Sequence, residues 1–341
     1  MKVLHLLASN VYSGAENVVC QIIDMFDGSV EMVYCSPDGK IKDTLKEKNI
    51  TFKPINKLNK KEVKRVVDEY KPDVIHAHDI RASIVASSFW KRVPVISHIH
   101  GNDKRNMGKL TPKSLLYRLV SKRFKRVIHV SNSCFEDYIF KNSIKKKSLI
   151  LHNIISIDRL YQREKLDKNK YDYEICYLGR LSEIKNPMRA LEIMKDTIQK
   201  RPETKCVFIG DGELRESCEN FVKDNNLTNN ITFLGFVSNP YKIVKSSRVL
   251  LMSSINEGTP MALLESFALG VPLVSSRVDG AVELIKSDLM GYLYNENEEA
   301  VESLIKILND DRKKYFEYLT NYSAKYNDIE KYKEQILKAY K

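Results

Sequence analysis

The sequence predicts an α/β protein with two doubly wound parallel sheets, one in each half of the chain, facing each other across a cleft. Short apolar runs rich in β-forming residues alternate with amphipathic stretches along the whole chain. Continuous apolar runs of this length are typical of strands that are buried on both faces of a parallel sheet. A polar, charged stretch, Arg163–Lys170, breaks the alternation near the middle. The 341 residues are enough for two domains of ordinary size.

The first half holds six predicted strands with helices between them, which implies right-handed crossovers in a parallel sheet. The first strand has one lysine before it and no cleavage pattern after it, so a signal peptide is not expected. Helical patterns cover Ala15–Phe26, Lys60–Tyr70 and Arg81–Trp90. The strands are expected at Val3–Ala8, Glu31–Ser36, Asp73–Ala77, Pro94–His98, Arg126–Val130 and Ser148–His152.

The second half repeats the pattern with five predicted strands. We therefore expect an N-terminal domain over residues 1–160 and a C-terminal domain over residues 161–325. A Tyr- and Lys-rich helix, residues 326–341, is expected to pack back on the first domain. The strands are expected at Tyr173–Leu178, Lys205–Ile209, Ile231–Leu234, Arg248–Ser253 and Pro272–Ser276.

The composition excludes several classes of protein. Hydrophobic residues make up 43% and charged residues 29% of the chain, which is typical of a globular protein rather than of a disordered or fibrous one. No apolar run reaches the roughly 18 residues that a membrane-spanning helix needs. The six cysteines are scattered without a C-x-x-C pair, which favours a reduced, cytoplasmic compartment and argues against a thiolate zinc site.

The positive charge is concentrated in the first half. Residues 1–150 carry 28 Lys and Arg against 15 Asp and Glu, a net of +13, whereas residues 151–341 carry 28 against 29, a net of −1. Between Gly101 and Arg126, nine bases accompany a single acid, Asp103. Such a basic strip suits an anionic membrane surface or a nucleic acid, and the lack of interleaved aromatic residues disfavours the nucleic acid. The bases are Lys104, Arg105, Lys109, Lys113, Arg118, Lys122, Arg123, Lys125 and Arg126.

Part of the basic strip predicts an amphipathic helix over residues 111–124, capped by Thr111. Its apolar stripe either packs on the protein core or lies in a bilayer interface, and in both cases the flanking bases can face anionic lipid. We therefore expect a peripheral location at the inner face of the cell membrane. The stripe is Leu115, Leu116, Leu119 and Val120, and the predicted membrane-binding bases are Lys113, Arg118, Lys122 and Arg123.

Ligands of open α/β sheets bind at the carboxyl ends of the strands, where the first half places serine, glycine and histidine. Ser13 and Gly14 open a helix whose N-terminus a ligand can approach, although a plain helix cap explains the same residues. Alternation along two strands lets four histidines converge, and without carboxylate or thiol partners we do not expect zinc. His100 is expected to bond a substrate hydroxyl or phosphate. The four histidines are His76, His78, His98 and His100.

The second half places paired cations at a strand end. Arg180 and Lys185 lie just ahead of a helix that starts near Pro187, where two cations can clamp a diphosphate. No D-x-D triplet occurs in the chain, so we expect these cations to replace a divalent metal. Taken alone, both are equally consistent with ordinary surface charges. Other strand-end residues expected at the same site are Gly179, Gly210, Gly212 and Val237.

The strongest signal is Asn256–Pro272, in which a strand end, a glycine turn and a helix follow one another. Pro260 fits the first helical position, and the free amides of that turn lie at the positive end of the helix dipole. Glu257 precedes the helix and Glu265 lies within it, so the two carboxylates reach different parts of one ligand. Capping by Glu257 is the simple alternative, whereas Glu265 in an apolar helix is poorly explained as solvated surface. The turn also contains Gly258, Thr259 and Met261.

In combination, these motifs resemble the retaining nucleotide-sugar glycosyltransferases of family GT4. The resemblance covers nearly the whole chain, through S-G-A-E, H-x-H-G, V-S-N-S, H-N, G-R-L-x3-K-N, G-D-G-E, F-L-G and the E-x7-E motif E-G-T-P-M-A-L-L-E. It implies the GT-B architecture of two Rossmann-like domains. The family's N-G-x-D is replaced by N-I-I-S from Asn153 onwards, which leaves one hinge-side contact without its usual residues.

The resemblance also implies roles for individual residues. Arg180 and Lys185 would bind the donor diphosphate, Glu257 and the amides after it the donor sugar, and Glu265 the ribose. His100 would lie near the transferred sugar. The residues expected to contact the acceptor are Ser13, Gly14, His100 and Ser131, with Gly14 also near the donor.

The predicted function is a hexosyltransferase that needs neither metal nor cofactor. It moves a sugar from an NDP-sugar, expected to be UDP-linked, to a hydroxyl of a lipid-linked or cell-surface glycan, with retention of configuration, in polysaccharide biosynthesis such as capsule or O-antigen assembly. Nucleic acid is not an expected partner. The alternatives are a non-hydrolysing sugar-nucleotide epimerase and a catalytically silent partner subunit. The residues expected to carry catalysis are His100, Arg180, Lys185 and Glu257.

Overall fold

The computed structural model describes residues 1–26, 28–101 and 104–341, and the side chains of Lys104 and Arg105 lie outside the described part. Asp103, the single acid of the basic strip, also lies outside it. The chain forms two compact units. The first comprises Met1–Asn153 and Ile329–Lys341, and the second comprises Ile154–Asp328.

The first unit contains one six-stranded parallel sheet. Its strands are β1 (Lys2–Leu6), β2 (Glu31–Cys35), β3 (Val74–His78), β4 (Val95–Ile99), β5 (Arg126–His129) and β6 (Ser148–Ile150). Their order in the sheet is β2-β1-β3-β4-β5-β6, so the direction of succession reverses between β1 and β3. Strands β3 and β4 are buried along their whole length, as expected of central strands covered on both faces.

Eight α-helices accompany this sheet within the described part of residues 1–153. Local sequence signals set their ends. The Asn59 side chain caps one helix by accepting the Glu62 N–H at 3.0 Å, and a capping box of Thr111 and Ser114 opens another. The helices are α1 (Gly14–Phe26), α2 (Ile41–Glu47), α3 (Lys60–Tyr70), α4 (Asp79–Ala86), α5 (Lys104–Met107), α6 (Pro112–Ser121), α7 (Asn132–Glu136) and α8 (Lys141–Ile144).

The second unit contains another six-stranded parallel sheet. Its strands are β7 (Ile175–Leu178), β8 (Cys206–Ile209), β9 (Ile231–Gly235), β10 (Val249–Met252), β11 (Leu273–Ser276) and β12 (Gly291–Tyr294), in the order β12-β11-β10-β7-β8-β9. The succession therefore reverses between β7 and β10. The helices are α9 (Ile157–Leu166), α10 (Pro187–Lys200), α11 (Arg215–Asp224), α12 (Tyr241–Ser246), α13 (Met261–Ala268), α14 (Asp279–Leu284), α15 (Asn297–Asn309) and α16 (Arg312–Tyr326).

The last helix, α17 (Ile329–Tyr340), belongs to the first unit. The Tyr340 phenol is hydrogen-bonded to Nδ1 of His76 at 2.9 Å, and Lys125 Nζ donates to the Tyr340 carbonyl oxygen at 3.0 Å. Ile336 is fully buried. The chain end is thus anchored to the first sheet by both polar and apolar contacts. Within the described residues, no helix combines the length and apolar character needed to cross a membrane.

Two elements differ from the sequence prediction. The first half of the charged stretch Arg163–Lys170, which breaks the sequence pattern, forms the last four residues of α9. Glu164, with a side chain only 3% exposed, pairs there with Lys242 at 3.1 Å and Lys245 at 3.0 Å on α12. The domain boundary predicted after residue 160 therefore falls inside a helix of the second unit. Strand β12 was not predicted, since G-Y-L-Y at the sheet edge is neither a long nor a continuous apolar run. The other eleven strands lie within two residues of their predicted bounds.

Candidate functional site

The candidate site of the second unit lies at the topological switch point of its sheet. Strands β7 and β10 are paired neighbours although β8 and β9 lie between them in sequence. In open parallel sheets, ligands bind at the carboxyl ends of the strands beside such a reversal. The loops that leave β7 and β10 contain the predicted cation motif and the predicted glutamate motif. The topology therefore brings two motifs from distant parts of the sequence to one place.

A partly buried ion pair joins the two loops. Lys185 Nζ contacts Oε1 of Glu257, and the Ser254 hydroxyl donates to the same oxygen at 2.8 Å. The side chains of Lys185 and Glu257 are 34% and 12% exposed. A backbone hydrogen bond also joins the two loops, because the Ile255 N–H donates to the carbonyl oxygen of Ile184 at 2.8 Å. Glu257 thus holds the Lys185 ammonium at the strand ends.

Arg180, the second predicted cation, lies outside this pair. Its guanidinium contacts Glu213 at 3.1 Å, with both side chains more than half exposed. Such a surface pair contributes only about 0–1 kcal/mol, so little energy holds Arg180 away from an incoming anion. The structure therefore offers one positioned cation and one exposed, readily redirected cation in the loop after β7.

The predicted glycines of this site have a packing role. Gly210 has a φ of +140°, and a Cβ atom there would collide with the carbonyl oxygen of Gly179. A Cβ atom on Gly212 would likewise collide with the carbonyl oxygen of Leu181. The loop after β8 therefore lies directly against the loop after β7. Any side chain at these positions would displace the segment that carries Arg180.

Helix α13 begins at Met261, one residue later than expected, and Pro260 occupies the position before it. Its first-turn amides have no partner within the helix, as at any helix N-terminus. Thr259 is buried, and Gly258 packs so tightly that its carbonyl oxygen would collide with a Cβ atom on Gly280. The turn that follows Glu257 is therefore rigidly placed.

Glu265 is buried within α13, with 7% of its surface exposed. It is hydrogen-bonded to Tyr241, and burial together with the charge of Glu265 raises the pKa of the Tyr241 phenol. Arg163 lies over the Tyr241 ring at 5.3 Å.

Val237 follows β9 and is half-buried beside Phe236, which is 63% exposed. An exposed ring next to main-chain groups suits a planar ligand.

The candidate site of the first unit lies at the corresponding reversal between β1 and β3. After β1, the Ser13 hydroxyl donates to the carboxyl group of Glu16, a side chain that is buried and whose pKa is raised by desolvation. Gly14 begins α1 and has open space where a Cβ atom would lie. After β3, Asp79 adopts a left-handed conformation with a φ of +64° and accepts the His100 N–H at 3.0 Å. Backbone strain of this kind is concentrated at functional sites.

Ser131 is a fully buried helix cap. Its hydroxyl accepts the Cys134 N–H at 3.2 Å and is hydrogen-bonded to Ser133 at 2.9 Å. These contacts explain its position at the start of α7.

Five imidazoles, rather than the four expected, share one face of the first sheet. His5 was not anticipated because it is an isolated histidine in β1, yet its register opposite His76 brings it into the group. Burial lowers the pKa of His5 to about 3 and holds the pKa values of the other four rings below their usual range. The five neutral rings are those of His5, His76, His78, His98 and His100.

The rings bond to one another in two series. In one, His5 Nδ1 lies 3.0 Å from His78 Nε2, and His78 Nδ1 lies 2.8 Å from His100 Nε2. In the other, His76 Nε2 lies 3.2 Å from His98 Nδ1. Two triplets, His5 with His76 and His78, and His78 with His98 and His100, have nitrogens within 4.8 Å of one another and meet the spacing for a metal ion. Metal independence remains a prediction.

Two family profiles match the chain. The profile of Glycosyltransferase Family 4 matches residues 12–159, and the profile of Glycosyl transferases group 1 matches residues 158–326. A UDP-Gal:alpha-D-GlcNAc-diphosphoundecaprenol alpha-1,3-galactosyltransferase of Escherichia coli is 26% identical, covering 91% of this chain and 88% of that protein. An uncharacterized glycosyltransferase of Methanocaldococcus jannaschii is 29% identical over 68% of this chain, and the chain spans 62% of that protein's length.

The fold also matches solved structures. The Anabaena protein HepE in complex with UDP-glucose superposes with a TM-score of 0.83, at 19% identity, over 99% of this chain and 98% of that chain. The predicted two-domain α/β fold of the GT-B type is thus confirmed, and the cleft between the domains remains a prediction. The two contiguous profile matches run from residue 12 to residue 326. The chain therefore belongs to the glycosyltransferases, with a Family 4 segment in its first unit and a group 1 segment in its second.

Proposed function

We propose that this glycosyltransferase moves a sugar from a UDP-sugar to a hydroxyl of a lipid-linked glycan, with retention of configuration. The observation that carries the proposal is the Lys185–Glu257 pair at the switch point of the second sheet. In this proposal, Lys185 binds the donor diphosphate and the neighbouring Glu257 binds a hydroxyl of the donor sugar. Two relatives support the donor and acceptor classes: HepE was solved with UDP-glucose, and the Escherichia coli relative is named for a diphosphoundecaprenol substrate.

The chemistry follows from the charges at the strand ends. The bond between the anomeric carbon and the diphosphate oxygen breaks, and the acceptor hydroxyl oxygen bonds to that carbon from the same face. Lys185, Arg180 and the N-terminus of α13 stabilise the negative charge that develops on the leaving diphosphate. The acceptor proton passes to the leaving phosphate oxygen, so no separate protein base is needed.

A nucleotide panel tests the donor assignment. UDP at about 100 times its dissociation constant should stabilise the protein by roughly 2.7 kcal/mol, whereas a nucleotide that does not bind should leave the melting temperature unchanged. Turnover of a UDP-sugar only in the presence of an acceptor would support transfer. Conversion without an acceptor would favour the epimerase, and binding without turnover would favour the silent subunit.

Transfer should not depend on a divalent metal. The chain has no D-x-D triplet, and Lys185 and Arg180 supply two positive charges at the predicted diphosphate site. Chelation with EDTA should therefore leave the initial rate within about twofold of the untreated rate, because no metal has to stabilise the leaving group. Loss of activity in EDTA that Mg²⁺ or Mn²⁺ restores would show that the diphosphate is held in another way.

We also propose that α6 docks on an anionic membrane surface. The apolar stripe predicted on this helix is split: Val120 is buried, whereas Leu115, Leu116 and Leu119 are 41%, 44% and 65% exposed. Tyr117 takes the inward position instead, with its hydroxyl hydrogen-bonded to Ser97 at 2.8 Å. Three exposed leucines on a basic helix are the arrangement of an interfacial amphipathic helix. The same docking would bring the first unit close to a lipid-linked acceptor.

Liposome binding should be selective for anionic lipid. At about 1 kcal/mol for each basic residue near an anionic surface, the four bases flanking the leucines should give binding that high salt reverses. The variant with Lys113, Arg118, Lys122 and Arg123 changed to Gln should lose most of this binding in a cosedimentation assay. The matched control changes four exposed bases of α3, namely Lys60, Lys61, Lys64 and Arg65, to Gln.

The control carries the same loss of charge in the same unit, so it should retain binding if the surface of α6 is responsible. Equal losses in both variants would point to net charge alone. Equal binding of the unmodified protein to neutral and anionic liposomes, or to neither, would contradict the docking proposal.

A further inference from the structure

Two hydrogen bonds meet at the Tyr241 phenol in the second unit. Tyr241 is the first residue of α12, whereas Arg163 lies on α9 and Glu265 on α13. The phenol is hydrogen-bonded both to the Glu265 carboxyl group and to the Arg163 guanidinium, whose Cζ lies 5.3 Å from the centre of the Tyr241 ring. Three helices that are separate in the sequence therefore converge on one phenol beside the loop after β9.

The chemistry of the three groups fixes the direction of both hydrogen bonds. A guanidinium can only donate and an ionised carboxylate can only accept, whereas a phenol can do both. Tyr241 therefore accepts from Arg163 and donates to Glu265. Burial and the charge of Glu265 raise the pKa of Tyr241, so the phenol keeps the proton that it donates. The bond to the carboxylate is charge-assisted, which is the stronger class of hydrogen bond.

Arg163 also fixes the loop that leads from β9 to Tyr241. Its guanidinium donates to the carbonyl oxygen of Ser238, and the Asn239 side-chain amide donates to the Arg163 carbonyl oxygen at 2.7 Å. The loop begins with Phe236, the exposed ring that suits a planar ligand. The same arginine thus holds both this loop and the phenol at its end.

Glu265 needs such a partner because the helix around it is apolar. It is only 7% exposed, and Leu263, Leu264 and Phe267 on the same helix are almost fully buried. A buried carboxylate without hydrogen bonds is costly. The two oxygens of a carboxylate offer about four acceptor positions. That capacity is enough for the phenol and for two adjacent hydroxyls, such as the 2′ and 3′ hydroxyls of a ribose.

We propose that Tyr241, itself held by Arg163, orients Glu265 toward the ribose of the donor nucleotide and thereby makes the site prefer ribonucleotides to 2′-deoxyribonucleotides. This inference rests on the proposed function and deepens it. The resemblance to family GT4 implies a ribose contact for Glu265 alone, whereas the roles of Tyr241 and Arg163 follow from their own contacts. All three residues lie in the second unit. Tyr241 and Arg163 are positioning residues, and Glu265 is the group that touches the nucleotide.

The dissociation constants of UDP and 2′-deoxy-UDP, measured on the full chain by isothermal titration calorimetry, test the proposal. The unmodified protein should bind UDP about 10–100-fold more tightly than 2′-deoxy-UDP, the factor for one hydrogen bond to a charged group. Tyr241→Phe keeps the ring beneath Arg163 and removes only the hydroxyl. The preference for UDP should then fall about tenfold, because the carboxylate loses the charge-assisted bond that orients it.

Tyr161→Phe is the matched control. Tyr161 is half-buried on α9, and its hydroxyl donates to the carbonyl oxygen of Ala268 at 2.8 Å. Like Tyr241, it joins a neighbouring helix to α13, but its partner is a backbone carbonyl rather than Glu265. The control should therefore keep the full preference for UDP. Arg163→Met leaves the phenol in place without its donor and should lower the preference in the same direction as Tyr241→Phe.

A merely structural role of Tyr241 would weaken the binding of both nucleotides equally and leave their ratio unchanged. An unchanged ratio in Tyr241→Phe would therefore overturn the proposal, as would equal losses of the ratio in Tyr241→Phe and Tyr161→Phe. Equal affinity of the unmodified protein for the two nucleotides would also overturn it. If Tyr241→Phe does not fold, the ratio in Arg163→Met decides, and an unchanged ratio there overturns the proposal.

The comparison separates this inference from the proposed function, because every nucleoside diphosphate contains the same ribose. GDP and ADP, with their 2′-deoxy forms, are therefore titrated as well. Tighter binding of GDP or ADP than of UDP would contradict the proposed UDP donor, and binding without turnover would contradict the proposed transfer. In both cases the ratio for the tightest nucleotide still decides the role of Tyr241. Binding of none of the three would overturn both the donor assignment and this inference.

Discussion

Replacement of Glu257 by Gln should lower the rate of sugar transfer about 10²–10³-fold, the usual loss when one preorganised charge contact is removed. The amide keeps the shape of the side chain and can still accept from Ser254, so the loop should stay in place. It removes the negative charge that holds the Lys185 ammonium at the strand ends. Steady-state kinetics with UDP-sugar and acceptor measure the effect, and the melting temperature should change by only a few degrees.

Glu213→Gln is the matched control for this substitution. Glu213 also pairs with a predicted diphosphate-binding cation, Arg180, but its side chain is 52% exposed. The control should retain transfer within about twofold, since such pairs contribute little. Arg180→Ala itself should lose transfer to the same extent as Glu257→Gln. Normal turnover in the Glu257 or Arg180 variant would remove that residue from the donor site.

The sequence was most informative about the second unit, where the motifs are continuous segments at strand ends. It assigned Lys185 to the diphosphate and Glu257 to the sugar as separate contacts. The structure pairs them across 72 positions of sequence. That pairing depends on β7 and β10 being neighbours in the sheet. A local sequence pattern predicts where a strand lies in the chain, but not which strand lies beside it in the sheet.

The first unit shows a different limit of sequence reasoning. Helical periodicity identified an apolar stripe on α6, but it could not tell which side the core would cover. Tyr117 rather than the leucines faces inward because its ring packs against Phe124 and Tyr138 and its hydroxyl reaches Ser97. These partners are tertiary contacts, so the exposure of the leucines became visible only in the folded unit.

The stability of the first unit should fall steeply as the pH drops below about 6.5, the ordinary histidine pKa. Burial lowers the pKa of His5 to about 3 and of His129 to about 4, and it lowers the pKa values of His76, His78, His98 and His100 as well. Below pH 6.5, the histidines of the unfolded chain therefore bind protons, whereas the same histidines in the folded unit stay unprotonated. Each such group removes about 1.4 kcal/mol of stability per pH unit until the folded pKa is reached.

The chain contains an internal control for this effect. All seven histidines lie in residues 1–153, and so does the single tryptophan, Trp90. Urea unfolding followed by Trp90 fluorescence therefore reports on the first unit, and hydrogen exchange of β7 and β10 reports on the second. Between about pH 7.5 and 5.5, the Trp90 midpoint should fall to much lower urea, while the second unit should change little because it has no group with an ordinary pKa near 6.5.

The size of the pH effect should follow the number of buried rings. His5→Gln keeps a donor and an acceptor between Met32 and His78 but removes one titrating group from the series. Unfolding of this variant takes up one proton fewer. The slope of the unfolding free energy against pH should therefore decrease by about 1.4 kcal/mol per pH unit. A Trp90 midpoint that does not move between pH 7.5 and 5.5 would mean that the rings are already charged or solvated in the folded unit. Five buried histidines and the half-buried His100, all with lowered pKa values, are incompatible with a pH-independent stability, because the unfolded chain takes up protons that the folded unit does not bind.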